Sequence, residues 1–373
     1  MQAKDILVVN PGSTSTKIAV YTGDAEQVIF EKNIVHDEEK ILEFPTVASQ
    51  EQYRKEMILE LLKRNDYSLD DLGAVVGRGG MLFGLEGGGY KVNKLMYEKM
   101  ASPDLPQHAS SLGALLAYSI AEPLGLPSFI YDSTMGCDLM DVAKVTGIAE
   151  IEKYGAVHLL NSRAQAIRYA EQVDKDYKDL NFIICHMGGG ITCSAMKGGK
   201  VIDTAAYDDG PMAAERSGGV PLLLFIQLCF DGKHTEEDMK KLVAGKGGLY
   251  SYLGTKDCFE IENNVLAGDE KSILAYKAMG FQAAKSIAGL SCALEGKVDA
   301  IILTGGLARS KPLVDWIKQY CGHIGNVVLM PGEKEMEALA SGTARMLAGE
   351  EEMKELKEGK TAKEPKKKLF GRK

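Results

Sequence analysis

Apolar and β-branched residues gather in short runs along the chain, and between them the spacing alternates between turn-formers and a helical period. Runs at 5–10, 17–22, 26–35, 73–77, 128–131, 181–186, 192–197, 200–203, 298–304 and 326–330 predict strands. Helical spacing over 51–65, 110–122, 162–175, 219–230, 236–244, 270–295, 311–321 and 335–348 predicts the helices that alternate with them. The pattern is that of an α/β protein.

One local pattern occurs twice. LVVNPGSTSTKIAVYTGD (7–24) laid without a gap over IICHMGGGITCSAMKGGK (183–200) matches Gly12 with Gly188, Thr16 with Thr192, Ala19 with Ala195 and Gly23 with Gly199. Both segments read strand, glycine-hydroxyl tip, strand, second turn. An internal duplication, one copy per domain, accounts for the shared order. A tight glycine turn converges backbone N–H groups on an anion, and the first tip adds the hydroxyls of Ser13, Thr14, Ser15 and Thr16 and the cation Lys17. Two such hairpins facing each other across a cleft would grip a polyphosphate; a plain polar turn is the alternative. The order of elements excludes a Walker loop, because KIAVY after Lys17 reads as a strand where a helix is required, and GGGIT leads into CSAMK, which excludes a dinucleotide fingerprint.

Length sharpens this picture, since 373 residues exceed what one hydrophobic core usually organises. No apolar run approaches the roughly 18 residues of a membrane span, and the N-terminus enters a strand without a signal-peptide pattern. The seven cysteines are odd in number and form no CxxC pair, which points to free thiols in a reducing cytoplasm. Net charge is −8, yet residues 354–373 carry nine Lys or Arg against three Glu, so the body sits near −14 and is expected to bind neither nucleic acid nor membrane.

Candidate chemistry clusters at glycines. Arg78 in VVGRGGML and Arg216 in DDGPMAAERSGGVP lie where no regular element continues, and arginine is suited to multi-donor contact with carboxylate or phosphoryl oxygens. Gly305 and Gly306 end an apolar strand before a helix start, a place where a nucleotide can lie against exposed backbone; a tight strand-to-helix turn is the alternative. His108, His158 and His186 lack metal-ligand spacing. Asp132 ends a strand, and Glu335 opens the last helix, where capping competes with a metal role.

NPGSTSTK, GRGG, HASSLGA, HMGGG, DDGPMAAERSGG, LTGG and PGEKEMEALASG, in that order between residues 7 and 345, resemble the acetate and butyrate kinase family. HASSLGA and DGPMAAERSGG are most similar to its butyrate kinase members. The resemblance implies two duplicated ribonuclease-H-like (actin-like ATPase) domains with a cleft between them. Their expected bounds are 1–150, rejoined by the C-terminal helix 336–349, and 151–335, followed by a basic, disordered tail over 350–373. It implies reversible, magnesium-dependent transfer between ATP and a short-chain carboxylate, butyrate or a branched acid, giving acyl phosphate and ADP, in a homodimer or higher oligomer.

By motif position, Asn10, Ser13, Ser15 and Lys17 would form the first phosphate loop and His186 with Gly188, Gly189 and Gly190 the second, while Gly305, Gly306 and Leu307 would meet the adenosine. Arg78, Arg216, His158 and Asp132 would be catalytic, with Arg78, His108 and Asp132 at the carboxylate and Asn10 and Glu335 at magnesium. Two departures stand out: Gly189 replaces an asparagine of the acetate kinases, and Ser-Thr-Met-Gly-Cys follows Asp132 where butyrate kinases favour Pro and Val. A sugar or polyol kinase with Asp132 as base and an ATP-gated chaperone or filament protein are the rival readings. The first has less use for two glycine-flanked arginines, and no separate peptide-binding domain or long insertion supports the second.

Overall fold

Among the described residues, twelve strands run in chain order: β1 (Asp5–Pro11), β2 (Ser15–Tyr21), β3 (Val28–Val35), β4 (Leu72–Arg78), β5 (Gly89–Lys91), β6 (Ser128–Tyr131), β7 (Phe182–Met187), β8 (Ile191–Lys197), β9 (Lys200–Ala206), β10 (Ala300–Gly305), β11 (Val327–Pro331) and β12 (Met353–Glu355). They come from a computed structural model that describes residues 4–358. One sheet has the order β12-β5-β6-β4-β1-β2-β3 and the other β11-β10-β7-β8-β9. β1-β2-β3 and β7-β8-β9 are antiparallel meanders, and β4 and β10 each pair in parallel with the first strand of their meander. β6 beside β4 and β11 beside β10 are parallel in the same way. The five-strand order therefore repeats, as the aligned hairpins anticipated, and the architecture is α/β with two sheets of duplicated topology.

Among the described residues, the first unit takes the chain up to Gly136, Glu150–Glu152 and the stretch from Lys334; the second takes Cys137–Ala149 and Lys153–Glu333. The expected boundary at 150 thus moves to Gly136. The reason is local: the Met140 amide donates to the Ile202 carbonyl at 2.9 Å and the Lys153 amide to the Lys144 carbonyl at 2.9 Å, which ties 137–149 to the second sheet. The start of the expected tail is also ordered, because β12 pairs with β5 and Leu356 is buried. The remainder of the tail, from 359 on, lies outside the described residues.

Burial explains the strand patterns. β1 and β4 sit in mid-sheet, covered on both faces, and read as nearly continuous apolar runs. β3 is an edge, and it carries Glu31 and Lys32 on an exposed strand that discourages further pairing. In the first unit Leu7, Val9, Ile18, Val75, Leu115 and Leu116 form the core; in the second, Ile183, Cys185, Ile301, Leu303, Tyr276 and Met279 do. The helix Leu112–Ala121 lies on β4 so closely that a Cβ on Gly77 would fall 1.9 Å from the Gly113 carbonyl oxygen, and one on Gly113 would fall 2.2 Å from that of Arg78. Backbone thus rests on backbone, and the end of β4 that carries Arg78 is held rigidly.

The helices differ from expectation mainly in short pieces. Lys94–Ala101, Gly248–Leu253 and Cys258–Leu266 are added, with Asn93 and Asp257 accepting the first-turn amides of the first and last. The helix expected over 219–230 begins only at Leu222, after Pro221. All seven cysteines are free, and no helix among the described residues is long and apolar enough to cross a membrane.

Candidate active site

In the first unit, three residues far apart in sequence meet. The Glu335 carboxylate, 8% exposed on the first turn of Glu335–Ala348, accepts from Asn10 Nδ2 at 2.7 Å and from Arg78 Nη1 at 3.1 Å. Asn10 lies near the end of β1 and Arg78 at the end of the adjacent β4, so parallel pairing brings both to the same edge of the sheet. The helix N-terminus favours the carboxylate there. Beside this triad the β1–β2 tip closes with Gly12 N donating to Ser15 O at 2.7 Å, and Ser13 is exposed.

Lys17 does not stand over the tip: its Nζ lies 3.7 Å from Glu31 Oε1, a half-exposed pair. Asp132 is buried, at a left-handed φ of 44°, and exchanges two hydrogen bonds with Gly88, accepting at Oδ1 from its amide (2.7 Å) and donating its own amide to its carbonyl (3.1 Å). That arrangement clamps the loop before β5 against the end of β6, whereas the sequence reading has this carboxylate facing a substrate. His108 is exposed and caps the turn Ala109–Ser111, with Nδ1 accepting from Ser110 N at 3.2 Å.

In the second unit, the β7–β8 tip is Gly188–Gly190, closed by Gly188 N donating to Gly190 O at 2.9 Å. His186, the positional equivalent of Asn10 in the duplicated hairpin, is 1% exposed. Asn161 Nδ2 donates to its Nδ1 at 2.9 Å, which leaves the proton on Nε2, 3.3 Å from Glu333 Oε1. Its ring is therefore engaged inside the unit, and the glycine backbone is what the tip presents. His158 stacks on it at 3.8 Å between centroids and 8° between planes, with Nδ1 at 3.1 Å from Thr192 Oγ1.

Arg216 packs against the same tip. A Cβ on Gly190 would fall 2.4 Å from Arg216 Nη1, and the guanidinium lies over the Tyr207 ring at 5.1 Å. Gly305, with φ 81°, ends β10 beside the Met187 carbonyl, and Gly306 and Leu307 begin a 3-10 turn that leads into the helix Lys311–Cys321. The structure thus joins Asn10, Arg78 and Glu335 in one unit and His158, His186, Gly188–Gly190 and Arg216 in the other. Each group offers cations and hydrogen-bond donors, which is chemistry for anions.

Several partners escaped the sequence reading. Asn161 and Thr304, linked by a 3.1 Å hydrogen bond, fix the floor under His186, and Glu333 faces its other nitrogen. Below the first tip lie Arg54, Gln50 and His36. Arg54 was legible: it falls on the same face as Ile58 and Leu62 in the helix Glu51–Arg64, so a charge occupies a core-facing position.

His36 yields a pH prediction. It is 2% exposed with Nε2 2.8 Å from Thr16 Oγ1, and burial first, then the Arg54 charge, pushes its pKa down to about 4. The unfolded chain binds this proton below about pH 6.5 and the native one does not until about pH 4. The native state therefore takes up fewer protons in that window. The stabilisation is complete above pH 6.5 and is lost as pH falls toward 4, a difference on the order of 2–3 kcal/mol. Urea unfolding at pH 7 and 4.5 should show a smaller acid loss in His36→Gln than in the wild type; equal losses would refute the assignment.

A model of the family described as the Acetokinase family matches residues 142–329, just over half of the chain. Among solved structures, the acetate kinase of Porphyromonas gingivalis superposes with a TM-score of 0.78 at 19% identity, covering 92% of this chain and 100% of that one. A propionate kinase from Francisella tularensis gives 0.73 at 19% identity (91% and 98%), and the acetate kinase of Entamoeba histolytica 0.73 at 17% (91% and 98%). At such identities the superpositions establish the fold, while the family match reaches further.

Proposed function

This chain belongs to the acetokinase family, whose chemistry is phosphoryl transfer between ATP and a carboxylate, and on that premise we propose that it is a butyrate kinase, acting on butyrate or a branched short-chain acid. The observation that carries the reading is the pairing of each glycine-hydroxyl tip with an arginine, Arg78 beside the first and Arg216 against the second. A short carboxylate is already ionised at neutral pH, its pKa being about 4, so it needs no base. What opposes reaction is repulsion between two anions, and cations with preorganised donors lower that barrier.

Arg78 holds the carboxylate, and Arg216 the equatorial oxygens of the transferring phosphoryl group. His158, whose Nδ1 lies 3.1 Å from Thr192 Oγ1, donates a hydrogen bond from Nε2 to those oxygens. The Gly188–Gly190 amides and the Ser13 and Ser15 hydroxyls hold the phosphate chain, and Gly305–Leu307 meet the adenosine. Gly80, two residues beyond Arg78, lies against Ser111, on the turn that His108 caps, which supports a place for His108 near the carboxylate.

A magnesium ion suits the Glu335 site. Glu335 and the Asn10 side chain supply one buried carboxylate and one amide. Magnesium fits so sparse a set because it keeps several waters and binds through one or two carboxylates plus substrate phosphates. Glu335 and Asn10 would hold it, and when bound it supplies charge neutralisation to the β- and γ-phosphates.

The exposed apolar face of Leu222–Cys229, with Leu223 78% and nearby Phe230 85% exposed, supports a homodimer, checked by a dimer mass in solution. The free thiols support a reducing, cytoplasmic setting. Hydroxamate trapping over acetate, propionate, butyrate and isobutyrate tests the substrate. Butyrate or isobutyrate should exceed acetate about tenfold or more in kcat/KM, since one methylene in an apolar pocket is worth about 1–3 kcal/mol. A preference for acetate would overturn the butyrate assignment.

A further inference from the structure

Arg54 is a fully buried guanidinium on the helix Glu51–Arg64. Nη1 donates to Gly12 O (2.8 Å), Ser15 O (3.1 Å) and Thr16 Oγ1 (3.0 Å); Nη2 donates to Ser13 O (2.9 Å) and Gln50 Oε1 (2.8 Å), and Nε to the same Gln50 oxygen (3.1 Å). Every one of these acceptors is neutral. Buried charges are normally paired, because removing a charge from water without a counter-charge costs several kcal/mol. Burial lowers the Arg54 pKa to about 10, which leaves the group charged at neutral pH.

The bonds also orient the tip. A trans peptide is planar with its C=O and the following N–H pointing in opposite directions. Drawing the Gly12 and Ser13 carbonyls inward therefore turns the Ser13 and Thr14 amides outward. From this arrangement we propose that Arg54 is a positioning residue of the first phosphate loop, whose buried positive charge has the bound polyphosphate as its counter-anion and whose fork aims the Ser13 and Thr14 amides at it. The proposal rests on reading Gly12–Thr16 as a phosphate loop.

Gln50→Glu separates the charge from the clamp. It is isosteric, keeps the acceptor for Nε and Nη2, and gives Arg54 an internal counter-charge. If the field of Arg54 serves phosphate, Gln50→Glu keeps the wild-type far-UV CD and a melting temperature no lower than wild type, yet raises KM for MgATP tenfold or more. Affinity should fall progressively from AMP through ADP to ATP, with AMP changed less than twofold. Arg54→Lys, which retains charge but gives up most of the fork, should melt lower while keeping more of the ATP-over-AMP preference than Arg54→Gln. A folded Gln50→Glu protein with MgATP KM within twofold of wild type overturns the proposal and leaves Arg54 a carbonyl clamp. A wild-type chain that binds AMP, ADP and ATP equally well overturns the phosphate-loop reading itself, whatever the variants do.

Discussion

On the proposed role, Arg216→Ala should lower kcat by about 10²–10³-fold while the melting transition stays near that of the wild type, because the side chain would supply charge to a developing anion and supports little else. The guanidinium lies over Tyr207 and against the backbone of Gly190, and it fills no sealed core position. The Arg216 main chain stays anchored whatever side chain it bears, through the bond from Ala213 N to its carbonyl (3.0 Å) and the bridge to Ala244. Gly190→Ala gives an independent route to the same result. The new Cβ would sit 2.4 Å from Nη1, the far end of a flexible chain, so the arginine shifts and the fold persists. Rapid-quench or hydroxamate assays beside thermal melts would decide; Arg216→Ala turning over within about fivefold of wild type would remove it from the transition state.

A large loss of stability is expected of Gly113→Ala. Its Cβ would lie 2.2 Å from the Arg78 carbonyl oxygen and 2.8 Å from the Arg78 nitrogen, and backbone on both sides leaves nothing to rotate away. The helix Leu112–Ala121 must lift from β4, at a cost of about 3 kcal/mol or more, the upper end of overpacking changes. The displacement reaches function, since Arg78 is the residue pushed and its 3.1 Å bond to Glu335 goes with it. Gly289→Ala is the control: the position is helical and a Cβ there would meet only open space, so alanine should stabilise by up to about 1 kcal/mol through helix propensity. Urea midpoints of the two variants should move in opposite directions. If both were neutral, the close approach of helix and strand would be wrong.

The hairpins, their glycine tips and their duplication were legible because each is encoded over fewer than twenty neighbouring residues, where alternation and turn chemistry act locally. β5 and β12 were not, as strands of three residues carry too few positions to show a period. Lys17 was legible as a cation beside the tip, but its pairing with Glu31 comes from the β2–β3 register. Asp132 was legible as a carboxylate at a strand end, and only the fold set it against Gly88.

By itself, then, the order of residues determined the alternating elements, the repeated glycine tips and the arginines set among glycines. Tertiary structure decided which of those groups meet: Glu335 with Asn10 and Arg78 across sequence separations of 325 and 257 residues, His158 stacked on His186, and Arg54 turned inward beneath the first tip. The physical reason is that periodicity and turn preference are properties of neighbours along the chain. A charge pair or an uncompensated buried guanidinium exists only once packing has excluded water and brought distant segments to one edge of a sheet.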